Sequence, residues 1–412
     1  MRYVLNHAVV LSRVPEGPLA THLASFAESL KQQGYAPPYV HRQVRLAAGF
    51  SRWLKERGIR LRRISADHRA QYLEWRHRRR RPHPGDQAAL AQVIEFLRRE
   101  RVMPAAKPAQ LHLTPAEEWV QAYKQYLRED RGLAEATIIN YAPFIDRFLT
   151  DRFGTGLVQL AQLEASDVVR FVQREARCLQ LKRAKLLTTA LRSFLLYARY
   201  RGAIHVDLAA AVPCVANWSQ PAIPRGIAPE QIRRLLSHID RGTPMGRRDY
   251  AILLLLARLG LRAGEVVRLE LEDIDWADGS LRVHGKRGHR RHLPLPAEVG
   301  EALAAYLQDG RPGSASRQVF LRARAPVRGF LSQCAVGSIV RHALRRAGID
   351  APTSGAHQFR HGLATEMLRH GASLGQIGDL LGHQSPQTTT IYTKVDVDGL
   401  RSLALPWPGG GQ

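Results

Sequence analysis

The chain has 412 residues, 45% of them hydrophobic, with 61 Lys and Arg against 36 Asp and Glu, a formal net charge of +25. That length suggests two or three domains, and the apolar share is enough to build packed cores, which excludes a disordered tail. The charge excess points to a polyanion, with DNA the default partner; the competing reading is a ribosome-associated or merely arginine-rich protein from a GC-rich genome.

From the amino terminus, Met1 to Leu11 holds one Arg and an apolar patch but no signal-peptide h-region with a cleavage site. Two segments of helical periodicity follow, and each ends in a proline-rich break, at Met103–Pro108 and at Val212–Pro224. They share landmarks in one order. Gln33-Gly34-Tyr35 answers to Arg131-Gly132-Leu133, and Arg52-Trp53-Leu54 to Arg147-Phe148-Leu149. Ile64-Ser65-Ala66-Asp67 answers to Leu163-Glu164-Ala165-Ser166-Asp167, where each run starts a helix with a cap-like residue. The apolar run from Ala89 to Phe96 answers to that from Ala190 to Tyr197. The offsets, 98, 95, 100 and 101, drift only by small insertions, so a duplicated all-helical module is expected. Trp119, Tyr123, Tyr126 and Leu127 share a helix face that reads as core. The run Arg76 to Arg81 ends a helix and suits a phosphate backbone as well as solvent.

The third segment mixes types. Pro229-Glu230-Gln231 opens a helix, and Arg248 to Leu259 is a second one ended by Gly260. Its apolar run from Ala251 to Ala257 is too short to span a bilayer, so a buried helix is expected. Leu281–His284 and His292–Leu295 flank a Gly-Lys-Arg-Gly turn, the pattern of a β-hairpin. His357 opens a helix running to His370 and closed by Gly371, with His357 and Arg360 three apart on one face. Ser373 caps a helix that stops at Leu381-Gly382-His383. Ser385-Pro386 starts a short helix expected to carry Tyr392. Cys178, Cys214 and Cys334 are too few and too scattered for a disulfide framework or a zinc site, which fits a reducing, cytoplasmic setting.

Gly260-Leu261-Arg262-Ala263-Gly264-Glu265-Val266, His357-x-x-Arg360-His361, Leu381-Gly382-His383 and Ile391-Tyr392 together resemble the tyrosine recombinases, or phage-integrase family, and Gly285-Lys286 resembles that family's catalytic lysine. Each piece alone is weak; five in the family's order and intervals are not. The match covers Pro224 to Leu405, and Thr114 to Cys214 resembles the family's helical core-binding domain. The resemblance implies a mainly α chain with a small β-hairpin or sheet. Its expected domains are an extra N-terminal helical DNA-binding module over 1–108, a SAM-like core-binding domain over 109–220, and an α+β catalytic domain with a C-terminal tail over 221–412. It implies catalytic roles for Arg262, Lys286, His357, Arg360, His383 and Tyr392. Arg262 and Arg360 are suited to clamp the non-bridging phosphate oxygens. A phenol of ordinary pKa near 10 needs a base, for which His357 is the candidate. Lys286 would protonate the leaving 5′-hydroxyl, and His383 would donate to the phosphate.

The intermediate implied is a 3′-phosphotyrosine, which needs neither ATP nor metal, and no cofactor is expected. His357 and His361 at i and i+4 have no third zinc ligand, and Arg360 between them repels a cation. Glu265 reads as orienting an arginine or capping a helix, and His361 as a packing or hydrogen-bonding partner. Phe359 stands where the family more often has Leu, and Gly362 where it has Ser or Thr.

The partners implied are double-stranded DNA at specific sites and a homo-tetramer that exchanges tails, here Val395 to Pro408, with accessory or sister recombinases beside them. No membrane role and a cytoplasmic, nucleoid-associated location are expected. The additional module favours a transposon or phage enzyme. The alternatives are an Xer-like chromosome or plasmid dimer resolvase, a type IB topoisomerase and a catalytically silent DNA-binding regulator.

Overall fold

In the computed structural model of the chain, the residues described are 3–5, 9–11, 13–104, 113–215, 226–285, 290–351, 353, 355–383, 385–389 and 392. Lys286 and the tail from Val395 to Pro408 lie outside them. Helices dominate, and the third segment adds a small three-stranded antiparallel sheet.

The first segment opens with a hairpin the sequence did not announce, β1 (Tyr3–Leu5) paired antiparallel with β2 (Val9–Leu11). Four helices follow: α1 (Leu23–Gln32), α2 (Pro37–Glu56), α3 (Ala66–His77) and α4 (Asp86–Arg99). Pro37 sits in the first turn of α2, where its missing N–H costs nothing. Ser65 caps α3 reciprocally: its hydroxyl accepts from the His68 N–H at 3.3 Å, and His68 Nδ1 accepts from the Ser65 N–H at 3.1 Å. Val40, Val44, Ala47 and Phe50, one helical stripe of α2, are buried against the other helices.

The second segment repeats this order with α5 (Pro115–Glu129), α6 (Glu135–Phe153), α7 (Ala165–Cys178) and α8 (Leu181–Tyr200). A 3-10 turn precedes the third helix in both segments, Leu61–Arg63 in one and Leu160–Gln162 in the other. The packing partners also correspond: α1 on α2, α2 on α4 and α3 on α4 in the first, α5 on α6, α6 on α8 and α7 on α8 in the second. Within the run Leu163–Asp167 the cap of α7 is Glu164, whose backbone N–H donates to the Asp167 carboxylate at 3.2 Å.

In the third segment come α9 (Pro229–Ser237), α10 (Pro244–Arg258) and α11 (Ala263–Arg268). The sheet follows, β3 (Ile274–Asp275), β4 (Ser280–His284) and β5 (Arg290–Pro294), antiparallel in that order, with Arg282 opposite His292. The sequence pattern showed the β4–β5 pair but not the two-residue β3. The rest is α12 (Ala297–Asp309), α13 (Cys334–Arg346), α14 (His357–Arg369), α15 (Leu374–Leu381) and α16 (Pro386–Thr389). Helix α10 starts four residues before the apolar run suggested, because Thr243 caps it through the Gly246 N–H at 3.1 Å. Ala251 through Leu256 are wholly buried, and α10 packs on α9, α12 and α14. Among the described residues no helix is long and apolar enough to cross a membrane.

Each segment has a buried cluster of its own, spanning 9–103, 116–212 and 227–359. By compactness, however, the described parts of 1–105 and 222–412 form one unit and those of 106–221 another. In the first unit the Val327 N–H donates to the Gln33 carbonyl at 2.8 Å, joining the turn after α1 to the third segment.

Candidate active site

Arg262 enters the site through a turn that glycine makes feasible. Gly260 ends α10 with φ +59°, a conformation that side chains resist, and a Cβ there would lie 2.7 Å from Leu381. Arg262 is then the N-cap of α11. Its backbone N–H donates to Glu265 Oε2 at 2.8 Å and its guanidinium to Glu265 Oε1 at 2.8 Å. Glu265, 1% exposed at its side chain, also takes Arg291 of β5 at 3.0 Å. One carboxylate therefore caps the helix and holds two guanidinium groups. Arg291 is a site neighbour that spacing could not select from the several arginines of the hairpin.

Helix α14 brings Arg360 and His361. Arg360 is 2% exposed, and its guanidinium donates to the Gly260 carbonyl at 2.8 Å and to the Leu381 carbonyl. Arg262 donates to the next carbonyl, that of Gly382, at 3.3 Å. Gly382 terminates α15 in the left-handed region, φ +61° and ψ +54°, which turns its last carbonyls toward the two arginines and delivers His383 beside them. Both arginines are thus aimed by the ends of α10 and α15, in the fixed fork geometry that phosphate binding needs.

Tyr392 closes the site. It is 1% exposed and packs with Ala364, Ile377 and Leu381. The described part of α16 is Pro386–Thr389, and Tyr392 follows it with 3-10 helical backbone, residues 390 and 391 being outside the described residues. Its hydroxyl is 3.0 Å from His361 Nδ1. The ring of His383 stacks parallel to it at 6.4 Å, and His383 Nδ1 lies 2.7 Å from the Thr389 hydroxyl. His357, the base expected from the sequence, stands one turn before His361, ring edge to ring face at 5.4 Å. The histidine at the phenol is His361, which the sequence marked only as a packing or hydrogen-bonding partner. The i, i+4 pair was the available signal, and only the position of the tyrosine chooses between its members.

The electrostatics follow from burial beside fixed cations. Burial pushes the Tyr392 phenol up, while Arg360 and Arg262 pull it back toward ionisation. Burial, His357 and Arg360 lower His361, and burial with Arg360, Arg262 and Arg291 takes His383 down to about 4. Both imidazoles are therefore neutral at pH 7, and His361 Nδ1 stands within hydrogen-bond reach of the phenol oxygen. Burial and the neighbouring Arg262 lower Arg360 to about 10, which leaves it charged at neutral pH. Of the six residues expected to act, five are described. Arg262, Arg360, His383 and Tyr392 converge, with His357 one residue removed through His361; Lys286, between β4 and β5, is outside the described residues. Among those residues no cluster of His, Cys, Asp and Glu could hold a metal.

The family model described as "Phage integrase family" matches residues 225–398, and "Phage integrase, N-terminal SAM-like domain" matches 120–202. The y4rA protein of Sinorhizobium fredii, named as an integrase/recombinase, is 56% identical over 412 residues and the full length of both chains. Tyrosine recombinase XerD of Mycobacterium tuberculosis is 32% identical over 307 residues, 70% of this chain and 96% of its own. Of solved structures, the XerH site-specific recombinase bound to palindromic difH substrate is alike in fold, with TM-score 0.57 at 20% identity over 76% of this chain and 94% of the other.

Proposed function

The chain belongs to the phage integrase family and is a tyrosine site-specific recombinase, and from that premise we propose that Tyr392 is its nucleophile and Arg262 and Arg360 its phosphate clamp. The observation that carries this reading is the 3.0 Å approach of the Tyr392 hydroxyl to His361 Nδ1 in a pocket that two aimed guanidinium groups make electropositive.

The steps follow from these groups. The phenol oxygen bonds to the scissile phosphorus as its proton passes to His361. Charge that builds on the two non-bridging oxygens meets Arg262 and Arg360, whose donors are held in place before the reaction begins. Neutral His383 adds a hydrogen bond. The bond from phosphorus to the 5′-oxygen breaks, and that oxygen takes a proton, which we assign to Lys286. A 3′-phosphotyrosine and a free 5′-hydroxyl remain. Attack by a 5′-hydroxyl from a partner strand reverses the step and completes the exchange. One phosphodiester replaces another throughout, so the scheme draws on neither ATP nor metal.

We take double-stranded DNA and further copies of this chain as its partners. XerH was solved on a palindromic substrate. A palindrome offers two half-sites related by a two-fold axis, which suits paired protomers. The tail from Val395 to Pro408, with Leu400, Leu403, Leu405 and Trp407, is the segment we assign to exchange between protomers in a tetramer. We divide the chain as 1–108, 109–220 and 221–412. The XerD relative spans 70% of this chain, so the remainder is additional to that relative. The added module favours a transposon or phage enzyme over chromosome-dimer resolution.

The test is a denaturing gel of wild type and Tyr392→Phe on a nicked duplex of the element's own recombination site. A covalent adduct that forms with wild type and is lost in Tyr392→Phe is the expected result. No adduct from wild type on that site sinks the reading.

A further inference from the structure

We propose that the cleft between α2 and α3 of the first module is a second DNA-binding surface, seating the phosphate backbone of duplex DNA. The proposal rests on the reading of the chain as a DNA recombinase and locates a contact far along the sequence from Tyr392. Neither family-model match reaches this module, since they begin at residues 120 and 225.

Two helix faces make the cleft. On α2, Arg42, Arg45 and Arg52 recur at spacings of three and seven and so share one side of the helix. Arg76 near the end of α3 and Arg79 and Arg80 in the turn after it line the opposite wall. These six guanidinium groups line one cavity of about 660 Å³ together with Trp75. The carboxylates that line it are Glu16 and Glu56, and Glu16 is already paired with Lys55 at 2.6 Å. From Arg42 to Arg52 the helix rises about 15 Å, the length of some four base-pair steps.

The cleft is built rather than merely charged. Asp86, buried behind it, lies 3.6 Å from Arg42 and 3.8 Å from Arg76 and holds them from the rear. The Arg79 guanidinium lies over the Trp75 ring at 4.5 Å. Arg45, Arg52, Arg79 and Arg80 are exposed, and among the described residues none of the four has an ion-pair partner. Four unpaired guanidinium groups converging on one groove repel one another, and a polyanion relieves that repulsion.

Arginine-rich composition alone does not account for this. The second module has the same order of helices, and there four of the five arginines of α6 and α7 are ion-paired, Arg177 being the fifth. Arg147 meets Glu175 at 2.8 Å, Arg174 meets Asp151 at 2.7 Å, and Arg152 meets Asp167 at 3.0 Å. The same architecture thus carries compensated charge in one copy and uncompensated charge in the other.

The test uses the full chain and a 60-bp random-sequence duplex, with affinity read by fluorescence anisotropy across a salt series. Four variants are compared: wild type; Arg45→Gln, Arg52→Gln, Arg79→Gln and Arg80→Gln combined; the same four positions changed to Lys; and Arg60→Gln, Arg62→Gln, Arg63→Gln and Arg101→Gln combined, which removes equal charge outside the cleft. Each phosphate contact contributes about 0.9 to the slope of log K against log salt. The cleft Gln variant is expected to lose about 3 from that slope, the Lys variant to keep most of it, and the outside variant to lose less than about 1. Equal losses in the cleft and outside variants would overturn the proposal, because net charge would then be the whole effect. So would an unchanged slope in the cleft variant whose thermal melt matches wild type, an outcome that leaves the cleft for an acidic protein. No strand cleavage enters this measurement, so failure of wild type to form the Tyr392 adduct sinks that assignment without deciding this one.

Discussion

His361 is where residue-level chemistry is most exposed to test. Its pKa is lowered from 6.5 by burial and by its cationic neighbours, so it stays neutral as pH falls through 6.5 and gains its proton only below that. Adduct formation should therefore hold through neutral pH and fall on an acid limb that begins below 6.5. His361→Gln should lose about 10²–10⁴ in cleavage rate together with that limb. His357→Gln, which removes the residue one turn away, should keep the limb and shift it toward higher pH, since one of the contributions that lower His361 is gone while burial and Arg360 remain. If His357→Gln abolishes the limb and His361→Gln retains it, the base is His357. The two arginines were picked out by the family motifs that hold them, and their type suits phosphate because a guanidinium is a bidentate, permanently charged donor. The choice between two histidines on one helix face was not, since both satisfy the same spacing.

At the scale of elements, Gly362 explains itself through packing. It lies on α14, where the family more often has Ser or Thr. A Cβ at that position would come within 2.5 Å of the Ile227 carbonyl oxygen, and one on Gly226 within 2.3 Å of the Gly362 nitrogen. The segment leading into α9 thus runs backbone to backbone against the catalytic helix, and the Ile227 N–H donates to the Gln358 carbonyl at 3.3 Å. Glycine here is a condition of that approach rather than a loosening of the helix. Gly362→Ser, although it restores a residue common in the family, should destabilise the chain by about 1–3 kcal/mol through overpacking. Chemical denaturation followed by circular dichroism would measure it, and a stability equal to wild type would refute the close approach. Most helices were readable from caps and periodicity, as at Ser65, Ser373 and Pro229, because those signals are local. The hairpin of β1 and β2 and the short β3 were not, because so few residues carry no period and pairing alone makes them strands.

For the whole molecule, the excess of 25 positive charges should make DNA affinity steeply dependent on salt. With six or more phosphates engaged, binding should weaken by about 10³-fold or more between 50 and 200 mM salt, and an affinity constant across that range would contradict a backbone-dominated interface. The sequence by itself determined the helical modules and the hairpin, which follow from residue types at intervals that local geometry enforces, and its family resemblance implied the clamp of Arg262 and Arg360 and the phenol of Tyr392. Tertiary structure decided what depends on approach between distant parts of the chain. It set His361 rather than His357 against the phenol and tied Arg291 to Glu265. It brought Gly226 to Gly362, and in one of two similar modules it left four arginines of a groove without an ion-pair partner among the described residues. Spacing along a chain constrains which residues share a helix face, but which charges meet across two faces is settled only when the faces pack.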